Sequence, residues 1–481
     1  MASREFERGA IVAVSHSHEP SLTRENINPE ERNLSEVYSN HVLADRINQL
    51  ERQFIIIDEQ RRFRNLLNPS ASKEEPFHRW ARYREAYSGT LVKELIQCSN
   101  LDSSHQFVFD PMCGSGSTLV ASAQMAFDCV GSDVNPYAID LSNAKLVHYS
   151  PEAVRVIEHF MTDSTPRPGQ KKLESWSTSD EMRQYFEPQH LEELRDIYND
   201  MAKITNPSAK HLLFVAWLTI LEDCSNRQKG GNGLITRNTK VRSVWSHFNA
   251  KVRMFLDDIC NNSLPEKVAA YARKCSVFQA SSLVEEFRTR TQKELGAVIF
   301  SPPYANSFDY FESYKLELLG GYYDIAALAE ARKSAIRNYR KGYGYRLSTD
   351  DELVQMLCNE VSARIPGKEA KTGKVDNRSR LVPNLLVGYF DDMRSALNEL
   401  DKCMPPGSHC HIVVNQSSYL GVIIPTDIVL AYTARRTGFD VSQIICCGKA
   451  TTSAQQLREY PYLAYMLRES IVSLRKRPRL P

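Results

Sequence analysis

Two short segments hold residue types that could do chemistry together. The first is Asp110-Pro-Met-Cys-Gly114-Ser-Gly116-Ser-Thr118. It follows the β-rich run Phe107-Val-Phe109 and precedes Leu119-Val-Ala-Ser-Ala-Gln-Met-Ala, whose composition favours a helix, so it reads as a strand-to-helix turn. Two glycines there let the backbone approach a ligand, and the free N–H groups of the helix start face it. Asp133 lies 23 residues beyond Asp110, at the end of the next short strand, where a carboxylate can accept both hydroxyls of a ribose. Asp110 would repel a pyrophosphate but suits an ammonium, and the Lys-Ser/Thr ending of a phosphate-binding loop is missing. S-adenosylmethionine therefore fits this turn better than NAD or a nucleoside triphosphate.

The second segment is Ala297-Val-Ile-Phe-Ser301-Pro302-Pro303-Tyr304, an apolar strand that stops at a polar residue, two prolines and an aromatic. Prolines cannot extend a ladder and fix φ, so the chain is held rigidly at the carboxyl edge of a sheet, where α/β proteins bind ligands. The amino group of a nucleobase has its lone pair delocalised into the ring. The Ser301 oxygen and the Pro302 carbonyl, accepting its two N–H bonds, could draw it toward a pyramidal nucleophile, while Tyr304 would stack on an extruded ring.

Together these motifs resemble the amino-group DNA methyltransferases, and the Ser form of the tetrad resembles their cytosine-N4 branch. His78-Arg-Trp80-Ala-Arg-Tyr83-Arg-Glu-Ala-Tyr87-Ser88-Gly89 is similar to the cofactor-side segment that precedes the Gly-rich turn. Ser307 to Glu317 resembles the helix after the tetrad, and Arg468 to Arg475 the last core strand. The resemblance covers about residues 76–148, 276–320 and 405–476. It implies a Rossmann-like class I methyltransferase core, with cofactor contacts at Tyr83, Ser88, Asp110, Met112, Gly114, Gly116, Thr118, Asp133 and Asn135. Catalysis would fall to Ser301, Pro302, Pro303 and Tyr304. Double-stranded DNA is the expected substrate, methylated at cytosine N4, and a cognate restriction endonuclease an expected partner. Near Ser276 to Leu283, where members of the family commonly carry an acidic residue for the cofactor's adenine, this chain reads Gln279-Ala-Ser-Ser282. Adenine-N6 methylation is the near alternative, RNA guanine methylation a farther one, and a non-catalytic DNA-binding subunit of a modification complex a third.

Charge suggests where DNA would lie. The chain carries 60 Lys+Arg against 58 Asp+Glu, so a nucleic-acid surface must come from local segregation. Asn226 to Arg253 holds basic residues and no acid, including Arg227, Lys229, Arg237, Lys240 and Arg242, with Gly230-Gly231-Asn-Gly233 as a flexible strip. Arg332 to Arg346 is likewise free of acid; Arg337, Arg340 and Lys341 are interleaved there with Tyr339, Tyr343 and Tyr345. Phosphate contact suits the first, and stacking beside phosphates the second.

The elements that must position these residues follow from pattern. With 481 residues, 42% hydrophobic and 25% charged, the chain has the composition of a globular protein of several domains or of one enlarged core. The longest apolar run, about His211 to Leu221, is too short to span a membrane, and the start lacks an apolar signal core. Eleven scattered cysteines without a CxxC pair point to a reducing cytoplasm and no metal site; His409-Cys-His411 reads as structural and Cys113 as a packing residue. The periodicity predicts an N-terminal helical arm (1–75, with a helix about His41 to Leu67) and a first core half (76–150). A helical insertion (151–275), a catalytic segment (276–320), a basic and aromatic insertion (321–400) and a last core part with a basic tail (401–481) follow. Strands are expected at Ser276 to Gln279, Ala297 to Phe300, His409 to Val414, Val441 to Cys447 and Ser470 to Leu474, and a loop or small mobile subdomain at Ser348 to Arg380.

Overall fold

The computed structural model describes residues 34–67, 74–84, 87–163, 176, 179–231, 233–237, 243–262, 264–265, 267–306, 308–337, 348–450 and 452–478. Its strands are β1 (Ile56–Asp58), β2 (Gln106–Asp110), β3 (Asp128–Asp133), β4 (Arg227–Gly230), β5 (Gly233–Thr236), β6 (Ala270–Lys274), β7 (Glu294–Phe300), β8 (His409–Asn415), β9 (Ser417–Tyr419), β10 (Val422–Ile424), β11 (Phe439–Lys449) and β12 (Arg468–Lys476). Eight of them form one sheet in the order β1-β11-β12-β8-β7-β2-β3-β6. Every neighbouring pair is parallel except the two that involve β12. This is a Rossmann-like α/β fold.

The strand sequences explain the layering. A parallel strand covered on both faces is apolar on both. Phe107 and Phe109 of β2 pack with the helices Ala280–Thr291 and Val382–Cys403, Phe107 meeting Phe287 at 4.9 Å between ring centres. Val108 points the other way, onto Leu91, Leu95 and Leu119 of the helices Gly89–Cys98 and Ser117–Gln124. Each such fully buried side chain contributes about 1.5–3 kcal/mol.

A separate apolar cluster is built by the helices Pro151–Asp163, Pro188–Ala202, Pro207–Cys224 and Val244–Asn261, with the β4–β5 hairpin between the last two. The chain then returns to the main sheet at β6, before the boundary expected at residue 275.

The order of strands fixes where a ligand can sit. From β2 the chain winds outward through β3 to β6, then crosses back and winds the other way from β7 through β8. The switch falls between the neighbours β2 and β7, and the crevice outside their carboxyl ends is where such sheets bind ligands. Asp110 ends β2, and Ser301 follows β7 directly.

Three local expectations are corrected. The predicted helix His41 to Leu67 ends at Arg52, because the β-branched run Ile55-Ile-Ile57 joins the sheet edge as β1. The strand expected at Ser276 to Gln279 is the 3-10 turn Val277–Gln279; the strand is Ala270–Lys274, closed by the Cys275 N–H donating to Asp133 O at 3.0 Å. The loop expected at Ser348 to Arg380 is mostly the helix Glu352–Thr372, which runs through Pro366 and ends at Gly373 with φ +66°. Its buried stripe Leu353, Leu357, Val361 and Ile365 outweighs the breakers. Among the described residues no helix is long and apolar enough to cross a membrane.

Candidate active site

At the end of β2 the Asp110 carboxylate turns back into the protein. Its Oδ1 accepts the Met112 N–H at 3.0 Å, and its Oδ2 lies 3.4 Å from the Tyr87 hydroxyl, which in turn bonds the Thr118 hydroxyl. Burial raises Asp110 to about 7. Asp133, at the end of β3, accepts the N–H of Gly114 (2.9 Å) and of Asn135 (2.9 Å), so the second strand end is tied to the turn on the first. Burial pushes its carboxyl up as well, against those bonds.

The two glycines are required here. Gly114 has φ +49°, and a Cβ on it would lie 2.9 Å from the Tyr83 ring; Gly116 has φ +82°, and a Cβ there would lie 2.7 Å from Ser142 Oγ. Beneath the turn the buried Lys145 donates to Ser115 O at 2.6 Å, and burial lowers it to about 7. Nothing in the motif spacing announces this lysine.

One cavity of about 540 Å³ spans both chemistry-bearing segments. Of the residues expected from sequence, Tyr83, Asp110, Met112, Gly114, Asp133, Asn135, Ser301 and Pro303 form its walls. Ser88, Gly116, Thr118, Pro302 and Tyr304 stand behind them. Ser88 caps the helix Gly89–Cys98 through the Leu91 N–H, and Thr118 donates to Ile299 O at 3.3 Å. Tyr304 is only 9% exposed, and its hydroxyl accepts from Ser301 Oγ at 3.4 Å. The aromatics on the wall beyond the tetrad are therefore Tyr310 and Phe311 rather than Tyr304. The Tyr419 hydroxyl of the β9–β10 hairpin fixes the chain just past the tetrad by donating to Ala305 O at 2.8 Å.

The donor set suits S-adenosylmethionine: a carboxylate for its ammonium, a second for its ribose, and glycines that admit backbone. At the end of β6, Cys275, Ser276 and Val277 complete the wall, and Ser276 Oγ is buried without a hydrogen-bond partner among the described residues. Gln279 is exposed and contributes nothing there. Also on the wall are Asp309, N-cap of the short helix Tyr310–Ser313, and Arg332, whose Nη2 lies 3.5 Å from Asp309 Oδ2.

The basic segments behave unevenly. Lys229 does not reach solvent: it is buried between Glu222 (2.8 Å) and Glu317 and lies 5.0 Å from the centre of the Tyr314 ring, so it has no charge to offer a phosphate. Arg227 lies over the Tyr185 ring, and Arg237 pairs with Asp223 at 3.7 Å. Arg337 is held by Asp391 and Asp392 at 3.1 and 2.6 Å. These pairs correct the expectation of freely offered cations at Lys229 and Arg337. Lys240, Arg242, Arg340, Lys341 and Tyr343 lie outside the described residues. Cys113 is buried in the turn, where burial pushes its thiol well up and disfavours the thiolate, and His411 is buried between the hydroxyls of Ser99 (2.8 Å) and Ser473 (3.0 Å).

No protein-family model matches the chain. It is 26% identical to the type II methyltransferase M.AvaI of a Nostoc species, over 82% of this chain and 85% of that one. It is 24% identical to the type II methyltransferase M.BsoBI of Geobacillus stearothermophilus, over 96% and 98% of the two chains. To the type II methyltransferase M.MvaI of Kocuria varians it is 22% identical, over 78% and 84%. Among solved structures, an rRNA methyltransferase of Streptomyces viridochromogenes is 11% identical at a TM-score of 0.28, over 82% of this chain and 87% of that one. The relatives that this chain resembles along most of its length are thus type II methyltransferases.

Proposed function

We propose that the protein is an S-adenosylmethionine-dependent DNA methyltransferase that modifies the N4 amino group of cytosine in double-stranded DNA, as the modification half of a restriction-modification system. The observation that carries this reading is the single cavity whose walls include Asp110, Gly114 and Asp133 on one side and Ser301 and Pro303 on the other. Two separate clefts could not pass a methyl group between them. The names of the type II methyltransferases that the chain resembles support the same class of activity.

S-adenosylmethionine, when bound, supplies a methyl group on a sulfonium that already leaves readily. Asp110 would hold its ammonium and Asp133 its ribose. Ser301 Oγ and the Pro302 carbonyl orient the target amine, while Tyr304 fixes the Ser301 hydroxyl from behind. Since transfer needs no enzyme-bound intermediate, the work of this chain is positioning and exclusion of water. A flipped base is required, because the amino group is out of reach inside a duplex.

The decisive test incubates the protein with methyl-labelled cofactor and random-sequence DNA, then identifies the labelled nucleoside and its flanks. N4-methylcytosine is expected. N6-methyladenine would reassign the base, and no label in DNA would overturn the reading.

A further inference from the structure

Resting on that reading, we infer that Ser142 and Lys145 are positioning residues: they grip Ser115 from behind and aim its N–H at the carboxylate of the cofactor's methionine part. Neither lines the cavity. Both come from the helix Pro136–Leu146, where a spacing of three puts them on one face. Ser142 Oγ donates to Gly114 O at 3.0 Å, and Lys145 Nζ to Ser115 O at 2.6 Å. Successive carbonyls of the Gly-rich turn are thereby drawn onto one helix. The Ser142 hydroxyl also neighbours the Cys113 thiol. That helix is itself fixed to the edge strand β6, since Asn143 donates to Ala272 O at 2.9 Å and accepts the Ala272 N–H at 2.7 Å. A lysine amine donates a hydrogen bond whether protonated or neutral, so the grip on Ser115 does not depend on the charge of Lys145.

A planar trans peptide sends its N–H opposite its carbonyl. With Gly114 O held on Ser142, the N–H of the same peptide, which is that of Ser115, points away from the helix, and Ser115 lines the cavity. The neighbouring amides all donate within the protein: Met112 to Asp110 Oδ1 (3.0 Å), Cys113 to Ser132 O (2.9 Å), Gly114 to Asp133 Oδ2 (2.9 Å) and Gly116 to Cys113 O (2.7 Å). From Met112 to Gly116, the Ser115 N–H alone has no partner among the described residues. An acceptor in the cavity would complete the turn. The cofactor's ammonium and carboxylate hang from one carbon, so a donor for the carboxylate must sit beside the group that holds the ammonium. Asp110 and Ser115 belong to one turn, whereas the cations on the wall, Arg84, Arg332 and Lys333, come from other segments. A donor is also needed because Asp110 and Asp133, on the same wall, repel a carboxylate.

The test measures binding by calorimetry, with full-length protein and no DNA, using two probes. One is S-adenosylmethionine; the other is its decarboxylated form, which keeps the ammonium, sulfonium and nucleoside and lacks only the carboxylate. Wild-type protein is expected to bind the decarboxylated form about 10- to 100-fold more weakly, the size of one charge-assisted hydrogen bond. Lys145→Met removes the donor and keeps an unbranched side chain of similar length. It is expected to weaken S-adenosylmethionine binding about tenfold and binding of the decarboxylated form less than about twofold, since that probe has no contact to lose. An equal loss on both probes, as general damage to the turn would produce, overturns the inference, and so does no loss on either. Should Lys145→Met not fold, Ser142→Ala removes one hydroxyl from the peptide that carries the N–H. It is expected to weaken S-adenosylmethionine about threefold and spare the decarboxylated form, and the same two results would count against it. Wild-type protein that binds both probes equally overturns the inference and leaves the proposed activity standing. Wild-type protein that binds neither removes the underlying reading, and the inference with it.

Discussion

The Thr118 hydroxyl donates to the main-chain carbonyl of Ile299 at 3.3 Å, joining the helix behind the Gly-rich turn to the strand that delivers Ser301. The same hydroxyl bonds that of Tyr87, which reaches Asp110. One buried chain of polar groups therefore spans the two halves of the cavity wall. Thr118→Val keeps the shape and removes the hydroxyl, leaving the Ile299 carbonyl and Tyr87 with a lost partner. Unfolding in urea should show a loss of about 1–3 kcal/mol. Cofactor affinity and turnover should fall together; a variant as stable as wild type would remove this link from the account.

If Asp110 holds the ammonium as proposed, cofactor binding should be sensitive to pH. In the free protein burial holds its carboxyl near 7, so below that pH the group is mostly neutral and offers an ammonium no charge. Binding favours the ionised form, so affinity for S-adenosylmethionine should rise by about tenfold per pH unit from pH 5.5 toward 7 and level off above it. The sign for folding is opposite. A carboxyl raised above its unfolded value contributes stability that is present at low pH and lost as pH rises from about 4 to 7. Added cofactor should therefore raise Tm more at pH 7.5 than at pH 5.5. Asp110→Asn should weaken binding at pH 7.5 and flatten both profiles, which calorimetry and thermal melts would check.

Lys229 was legible as a charge and illegible as a partner. Its place in an acid-free run suggested phosphate contact, but Glu222 and Glu317, 7 and 88 residues away, close around it. Burial works against its ammonium, and the two carboxylates overcome this and raise its pKa. Lys229→Ala should then cost about 3–5 kcal/mol of stability by stranding buried carboxylates. The salt dependence of DNA binding should keep its slope, whereas loss of a phosphate contact would reduce it by about one.

What could be read from the chain, and what could not, divides by the range of the interaction involved. The turn at Asp110 to Thr118, the strand ending at Asp133 and the apolar strand before Ser301 are local patterns, and each lies where expected. Their adjacency rests on β2 pairing with β7, Phe107 opposite Leu295, through a long crossover that no local pattern states. The misread segments are those in which one local rule competes with another. Pro366 and Gly367 mark a break, yet the buried stripe carries the helix through them. Ile55 to Ile57 continues a helical spacing, yet its β-branched residues prefer the sheet edge. The cavity residues missed, Asp309, Tyr310 and Ser276, sit in ordinary polar sequence, and Arg332, which opens the basic run expected at DNA, lies on the same wall; only the fold brings them together.

Ser276 offers a test of whether the adenine end of the proposed cofactor is held at the end of β6, where the expected acidic residue is replaced by Gln279-Ala-Ser-Ser282. Its Oγ is buried at the cavity wall with no partner among the described residues, a state that costs free energy unless a ligand supplies a hydrogen bond. Ser276→Ala should leave the unliganded protein as stable as wild type or slightly more so. It should weaken S-adenosylmethionine binding by about three- to tenfold, the range for one neutral hydrogen bond. Calorimetry with the cofactor and with methionine alone separates the contribution by ligand part: the substitution should affect the first and not the second.

The aromatic residues make the sharpest distinction between the motif and its surroundings. Tyr304, the last residue of the tetrad, stands behind Ser301, while Tyr310 lies on the cavity wall and is partly exposed. Tyr304→Phe removes the hydroxyl that accepts from Ser301 and keeps the ring. Turnover should fall by about tenfold, the size of one hydrogen bond, with DNA affinity unchanged. Tyr310→Ala removes a stacking face and should weaken binding to a duplex with an unpaired target base by about 1–3 kcal/mol. If both changes instead act on turnover alone, the flipped base is held by some other surface and Tyr310 only packs. If Tyr304→Ala weakens base binding as much as Tyr310→Ala does while Tyr304→Phe does not, the tetrad's tyrosine turns its ring toward the base when DNA is bound, and the wall seen here rearranges on closing.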